Sequence, residues 1–137
     1  MKSLLAVLLI VLGMSATALC QDKGEKAATE AANRWLALVD SGDYAASWET
    51  AAPMFKQSIA QDQWVKMVKD KRAPMGKLVS RTLKSAVYTT SLPGAPDGQY
   101  VVIVYESSFE HKKSAIETVT PSLGKDGQWK VSGYFIR

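Results

Sequence analysis

The chain changes its hydrophobic rhythm once, between Pro74 and Lys77, and that break constrains the fold more than any other feature. Before it, apolar residues recur at steps of three and four; after it, they come in short runs rich in β-branched and aromatic residues, divided by Pro, Gly and Asp. A helical half followed by a stranded half specifies an α+β fold, because helices with one apolar stripe need a sheet face to cover. From Lys23 to Asp40, the residues Ala28, Ala31, Ala32, Trp35, Leu38 and Val39 form such a stripe, with Glu25, Lys26, Glu30 and Arg34 on the other side. Ser41-Gly42-Asp43 then reads as punctuation, with Gly42 just past the helix end and Asp43 as the N-cap of a short second helix. Tyr44 and Trp48, at i and i+4, point from that helix toward one neighbour, and Pro53 is expected to end it. A third helix is expected to open on the capping-box pattern Ser58-Ile59-Ala60-Gln61 and to bury Ala60, Trp64, Met67 and Val68. Pro74 and Gly76 stop it. Lys66, Lys69, Lys71 and Arg72, set against Asp70, read as a solvated face whose cations suit the negative end of the helix dipole.

The second half predicts strands at Leu78 to Thr90, Gln99 to Phe109, Ser114 to Leu123 and Gln128 to Ile136. Their links contain Pro-Gly-Ala-Pro-Asp-Gly, Glu-His-Lys-Lys and Lys-Asp-Gly, and the Asp126-Gly127 pair is a strong hairpin signal. Short links between consecutive strands predict an antiparallel meander. Alternation places Val101, Ile103, Tyr105 and Phe109 on one face of the second strand and Trp129, Val131 and Phe135 on one face of the fourth.

The N-terminus reads as a targeting segment rather than as part of this fold. Lys2 precedes an apolar run from Leu4 to Gly13, and small residues follow it, so residues 1–20 are expected to be a secretory signal peptide and residues 23–137 a single α+β domain. The cut falls after Ala18, after Cys20, or, in a lipoprotein, just before an acylated Cys20. Leu19 departs from the small residue that a lipobox usually carries before its cysteine. The apolar run is shorter than the roughly 20 residues of a bilayer span, so no transmembrane helix is expected in the mature chain. The protein is thus expected to be exported, periplasmic or secreted, with Cys20 as a possible lipid anchor. Cys20 is the one cysteine among 137 residues, so no intramolecular disulfide forms and the core alone must hold the fold. Export also removes nucleic acid as the obvious partner for a net charge of +4.

Helices followed by a curved four-stranded antiparallel meander resemble the cystatin-like and nuclear-transport-factor-two-like architectures, in which a sheet wraps a helix and often leaves a conical pocket. More specifically, the runs WLALVDSGDYAASWETAAP, TTSLPGAPDGQYVVIVYESSFEHKKSAIETVT and WKVSGYFIR resemble the bacterial domain-of-unknown-function family 4019 over most of the chain from Ala27 to Arg137. That family defines no activity, so the resemblance implies a fold and assigns no catalytic residues.

The residues themselves narrow the chemistry. His111 is the sole histidine, which leaves no multi-histidine metal site, and it lies in a charged hairpin turn where a solvated side chain is expected. Nucleophile elbow, phosphate-cradling glycine loop and dinucleotide fingerprint are all missing, so no cofactor is implied. Glu106 and Glu117 lie within apolar strands, and a carboxylate facing the interior there would have its pKa raised by desolvation and could act as a base. The alternative is that each faces solvent or pairs with Arg81 or Lys84 across the sheet. Tyr105 and Tyr134, with Tyr88, would supply polar handles to a pocket. Glu117, Glu106, Tyr105 and Tyr134 are therefore the candidate ligand-binding residues. The sequence favours a non-enzymatic module for a small ligand or an envelope protein, with an isomerase- or hydratase-like enzyme and a lipid-anchored accessory protein as alternatives.

Overall fold

The computed structural model describes the backbone from residue 16 to residue 137 and side chains from residue 24 onward. Most of the expected signal segment and the Cys20 side chain lie outside the described residues. Helix α1 spans Ala16–Asp40, α2 Tyr44–Glu49, α3 Pro53–Ser58 and α4 Gln61–Arg72, followed by a 3-10 turn at Ala73–Met75. Strands β1 (Leu78–Thr89), β2 (Tyr100–Phe109), β3 (Lys112–Leu123) and β4 (Trp129–Ile136) follow in one antiparallel sheet of order β1-β2-β3-β4. The fold is α+β, as the break in rhythm requires, and no helix among the described residues is long and apolar enough to cross a membrane.

Gly42 ends α1 in the left-handed region at φ 78°, where a side chain would be strained. Its N–H reaches the Val39 carbonyl at 3.1 Å and the Asp43 N–H reaches Leu38 at 2.8 Å, a paired arrangement that satisfies the last free carbonyls of the helix. Asp43 occupies the N-cap position of α2 without a side-chain capping bond. Pro53 opens α3 rather than merely ending α2, because its fixed φ and missing N–H suit the first helical position. That extra helix consumes Ser58, so the expected capping box does not form. Ser58 Oγ donates back to Phe55 O at 2.8 Å, and Ala60 stands at the N-cap of α4.

The core is the underside of α1 against the sheet. Trp35, Leu36 and Val39 pack with Val101, Ile103, Val119 and Val131, and Phe55 and Trp64 close the cluster from α3 and α4. Ser47 is a polar hub within it: its carbonyl accepts Trp35 Nε1–H at 2.7 Å and its hydroxyl accepts Trp64 Nε1–H at 2.9 Å. The Tyr44–Trp48 segment is thus a corner of the core, with Trp48 Nε1–H bonded to Ile59 O at 2.8 Å. Leu36, off the expected stripe, is fully buried, while Met67, expected inside, is 52% exposed. Arg72, expected on the solvated face, is buried at 4% exposure. Steps of four from Trp64 through Val68 reach Arg72, so the guanidinium follows the tryptophan inward.

A bulge decides the last strand. Thr120 pairs with Gly133 and Pro121 with Val131, which leaves Ser132 unmatched and inverts the alternation beyond it. Val131, Tyr134 and Ile136 consequently turn toward the helices, and Phe135, expected beside Trp129 and Val131, faces outward at 61% exposure.

Candidate functional site

Beneath α1, the sheet encloses a cluster of charge. Glu117 on β3 is fully buried, and its parity along the strand is that of Ala115 and Val119, both also buried. Its Oε1 accepts Arg81 Nε–H at 2.8 Å and Ser107 Oγ–H at 2.5 Å, and its Oε2 accepts Tyr134 O–H at 2.5 Å. Arg72 Nη1 lies 3.8 Å from the same Oε2 and donates to the Tyr134 oxygen at 3.3 Å. Asp40, the last residue of α1, receives a two-pronged pair from Arg81 at 2.7 and 2.9 Å and a third bond from Arg72 at 2.8 Å. Two guanidiniums and two carboxylates therefore cancel in charge, which is the condition under which buried ions are tolerated. Arg72 also stacks on the Phe109 ring at 4.5 Å, and its Nε is a buried donor with no partner.

The electrostatics follow from this packing. Burial works to raise the Asp40 carboxyl, but the hydrogen bonds and charges of Arg81 and Arg72 outweigh it and hold the pKa below the ordinary carboxylate value. The Tyr134 hydroxyl is driven far above its usual value, first by burial and then by the Glu117 charge, so it stays protonated as a donor. Burial raises Tyr105 as well.

Of the four residues singled out in the sequence, Glu117 and Tyr134 meet directly. Tyr105 lies on the same inner face, with its hydroxyl on Asn33 Oδ1 at 2.6 Å and its ring 5.9 Å from the Arg81 guanidinium. Glu106 is not brought to them: it faces outward and pairs with Lys84 at 3.5 Å, both half-exposed. Tyr88 bonds Gln99 at the far end of β1, and His111 is exposed in its turn. Asp40, Arg72 and Ser107 were missed, although signals for two of them exist. Ser107 shares its parity with Ile103 and Tyr105, and Arg72 falls one helical turn beyond Val68.

Tyr134 also belongs to a surface feature. An open groove of about 370 Å³ separates α4 from β4, floored by Trp64, Val68, Tyr134 and Ile136 and walled by Met67 and Phe135. Glu117 does not line it. The groove continues past Asp70 and Lys71 into a depression with His111, Lys112 and Arg137 on its rim.

A family model described as "Protein of unknown function (DUF4019)" matches residues 31–134. The chain belongs to that family. No curated protein and no solved structure matches it. The DUF4019 segment contains every member of the charge cluster, from Asp40 to Tyr134, and the α4 wall of the groove.

A general base needs a lone pair open to the proton it removes. Glu117 is fully buried and already accepts three hydrogen bonds, from Arg81, Ser107 and Tyr134, with the Arg72 guanidinium 3.8 Å from Oε2. The cluster is thus arranged to join α1, α4 and the sheet. Chemistry with a small molecule would require it to open.

Proposed function

We propose that this DUF4019 protein is a non-enzymatic binding module of the cell envelope, exported by its N-terminal segment, and that its binding surface is the groove between α4 and β4. One observation carries the reading: the most chemically capable carboxylate is fully buried and occupied by its own neighbours, whereas the groove beside it is open and mainly apolar. A volume near 370 Å³ lies within the range of small-ligand sites, and apolar walls with a few polar groups at one end are their usual composition. The charged start, apolar run and small residues at Ala16 to Ala18 support export.

The test is a comparison of groove and cluster. Protein recovered under native conditions is searched by mass spectrometry for a retained molecule, and the search is repeated with Met67→Glu and Glu117→Gln. Loss of the retained mass in Met67→Glu, with the fold intact, is the expected result. A folded Glu117→Gln protein that has lost a turnover present in the parent would overturn the reading in favour of an isomerase-like enzyme.

A further inference from the structure

We infer that the occupant of the groove is an extended peptide that adds to the free edge of β4 as a fifth strand, entering with acidic residues at its N-terminal end. The inference rests on the binding-module reading and specifies its partner. Ile116 and Arg137 exchange both hydrogen bonds, N–H to O at 3.0 Å and 3.1 Å, which fixes the phase of the β3–β4 ladder. Phe135 and Gly133, two and four residues back and paired with Thr118 and Thr120, direct their backbone groups to β3 as Arg137 does. Tyr134 and Ile136 therefore direct theirs away from the sheet, along the groove that both residues line. Lower down, the same edge is already used: Val131 O accepts the Ala52 N–H at 2.8 Å. Among the described residues, nothing outside the sheet bonds to the backbone of Tyr134 or Ile136.

Such an edge is a template for another strand, and proteins that leave one open usually cover or charge it. Between Tyr134 and Ile136 the edge carries neither a covering backbone partner among the described residues nor a charged side chain. It is walled by α4, which leaves a slot beside β4 rather than a flat edge. A strand lying about 4.8 Å from β4 would continue the inner sheet face beneath α4, so its alternate side chains would meet Trp64, Met67 and Val68. Its remaining side chains would stand beside Phe135, whose outward placement by the Ser132 bulge is otherwise an exposed aromatic without a partner.

Charge sets the direction. At the Ile136 end the groove opens onto Lys71, Lys112 and Arg137, none of which is in an ion pair among the described residues. Asp70, the acidic residue on that rim, is taken by Lys66 at 2.8 Å. Antiparallel pairing, the more stable kind, runs the added strand from the Arg137 end toward Val131. Its N-terminal residues then lie against the three cations, and carboxylates there are complementary.

The probe is the capped heptapeptide Glu-Glu-Val-Thr-Val-Thr-Val, titrated into the purified protein and followed by NMR. Saturable binding with slowed amide exchange at Tyr134 and Ile136 is expected. Replacing the two glutamates by lysine should weaken binding by about tenfold or more, and Lys71→Glu should do the same to the glutamate peptide. Met67→Glu should abolish it with the spectrum otherwise unchanged. A version N-methylated at alternate residues keeps the side chains and loses the donors, so equal binding by it overturns strand addition. Peptide-free protection of the same amides that rises with protein concentration also overturns it, and makes the partner a second copy. Binding of dodecanoate in the groove with none of the peptide overturns the peptide proposal and leaves the binding-module reading standing. Failure of both probes, with no retained molecule in the native protein, removes both.

Discussion

Glu117 shows how the meaning of one residue depends on what surrounds it. Its position among apolar neighbours admitted two readings, a desolvated base or the partner of a cross-sheet cation; the side chain faces inward, as the first requires, and pairs with Arg81 at 2.8 Å, as the second requires. Removing one member of a buried ionic set leaves another uncompensated, so Glu117→Ala or Arg81→Ala should cost about 3 to 5 kcal/mol, read as a lowered midpoint in urea. A change within about 0.5 kcal/mol would show the cluster to be dispensable. The same network makes stability depend on pH in two directions. Asp40 has a pKa depressed in the folded state, so its contribution is complete above the unfolded value near 4 and is lost as pH falls below it. Tyr134 has a raised pKa, so the folded state holds a proton that the unfolded chain releases near pH 10, and stability falls as pH rises beyond that. Thermal melts across pH should therefore fall at both extremes, with Asp40→Asn flattening the acid limb and Tyr134→Phe the alkaline one.

Elements differ in how openly the sequence declares them. The hairpin at Asp126-Gly127 and the stop at Gly42 are written in local chemistry, since each needs a left-handed residue and has glycine there, at φ 80° and 78°. Repeated steps of four likewise display α4, including the inward turn of Arg72, once that residue is read by position instead of by charge. The bulge at Ser132 is not local in this sense. It is a count of residues on β4 against residues on β3, visible only when the two strands are paired, and missing it sends Phe135 to the wrong face. The fate of Ser58 is similar, because its role depends on whether Pro53 starts a helix. Glycine positions allow a graded test at this scale. Gly42 has open space around an added Cβ, so Gly42→Ala meets only the backbone penalty of about 1 to 2 kcal/mol. At Gly76, also at positive φ (75°), a Cβ would stand 2.9 Å from the His111 ring and 3.0 Å from Glu110 Cβ, in the contact that ties the turn to the β2–β3 hairpin. Gly76→Ala should be the more destabilising of the two, and equal midpoints would show that the hairpin yields freely.

At the scale of the molecule, the first enclosed side chain of α1 among the described residues is Ala28, and that bears on where the chain can be shortened. Among the residues whose side chains are described, Gly24 and Glu25 are partly exposed and Ala28 is the first to be enclosed, even though the helix itself runs from Ala16. Gly24 lies against the edge of the Trp129 ring, with its Cβ position 3.6 Å from Trp129 Cζ2, so α1 already meets the sheet at that point. A cut after Ala18 or Cys20 would remove part of the helix and leave in place every enclosed residue among those whose side chains are described, and tolerance of truncation follows burial of what is removed. The chain beginning at Gln21 should accordingly melt within about 0.5 kcal/mol of one carrying the whole N-terminus, as surface changes do. A chain beginning at Ala32, which lacks Ala28 and Ala31, should be clearly less stable. Export gives the companion measurement. Intact mass of protein recovered from outside the cytoplasm should start at Leu19 or Gln21, and a start at Cys20 with the mass of attached acyl chains would identify the lipoprotein instead. Recovery of a soluble exported product that still begins at Met1 would reject the signal, and would leave the apolar run from Leu4 to Gly13 needing a partner on the protein itself.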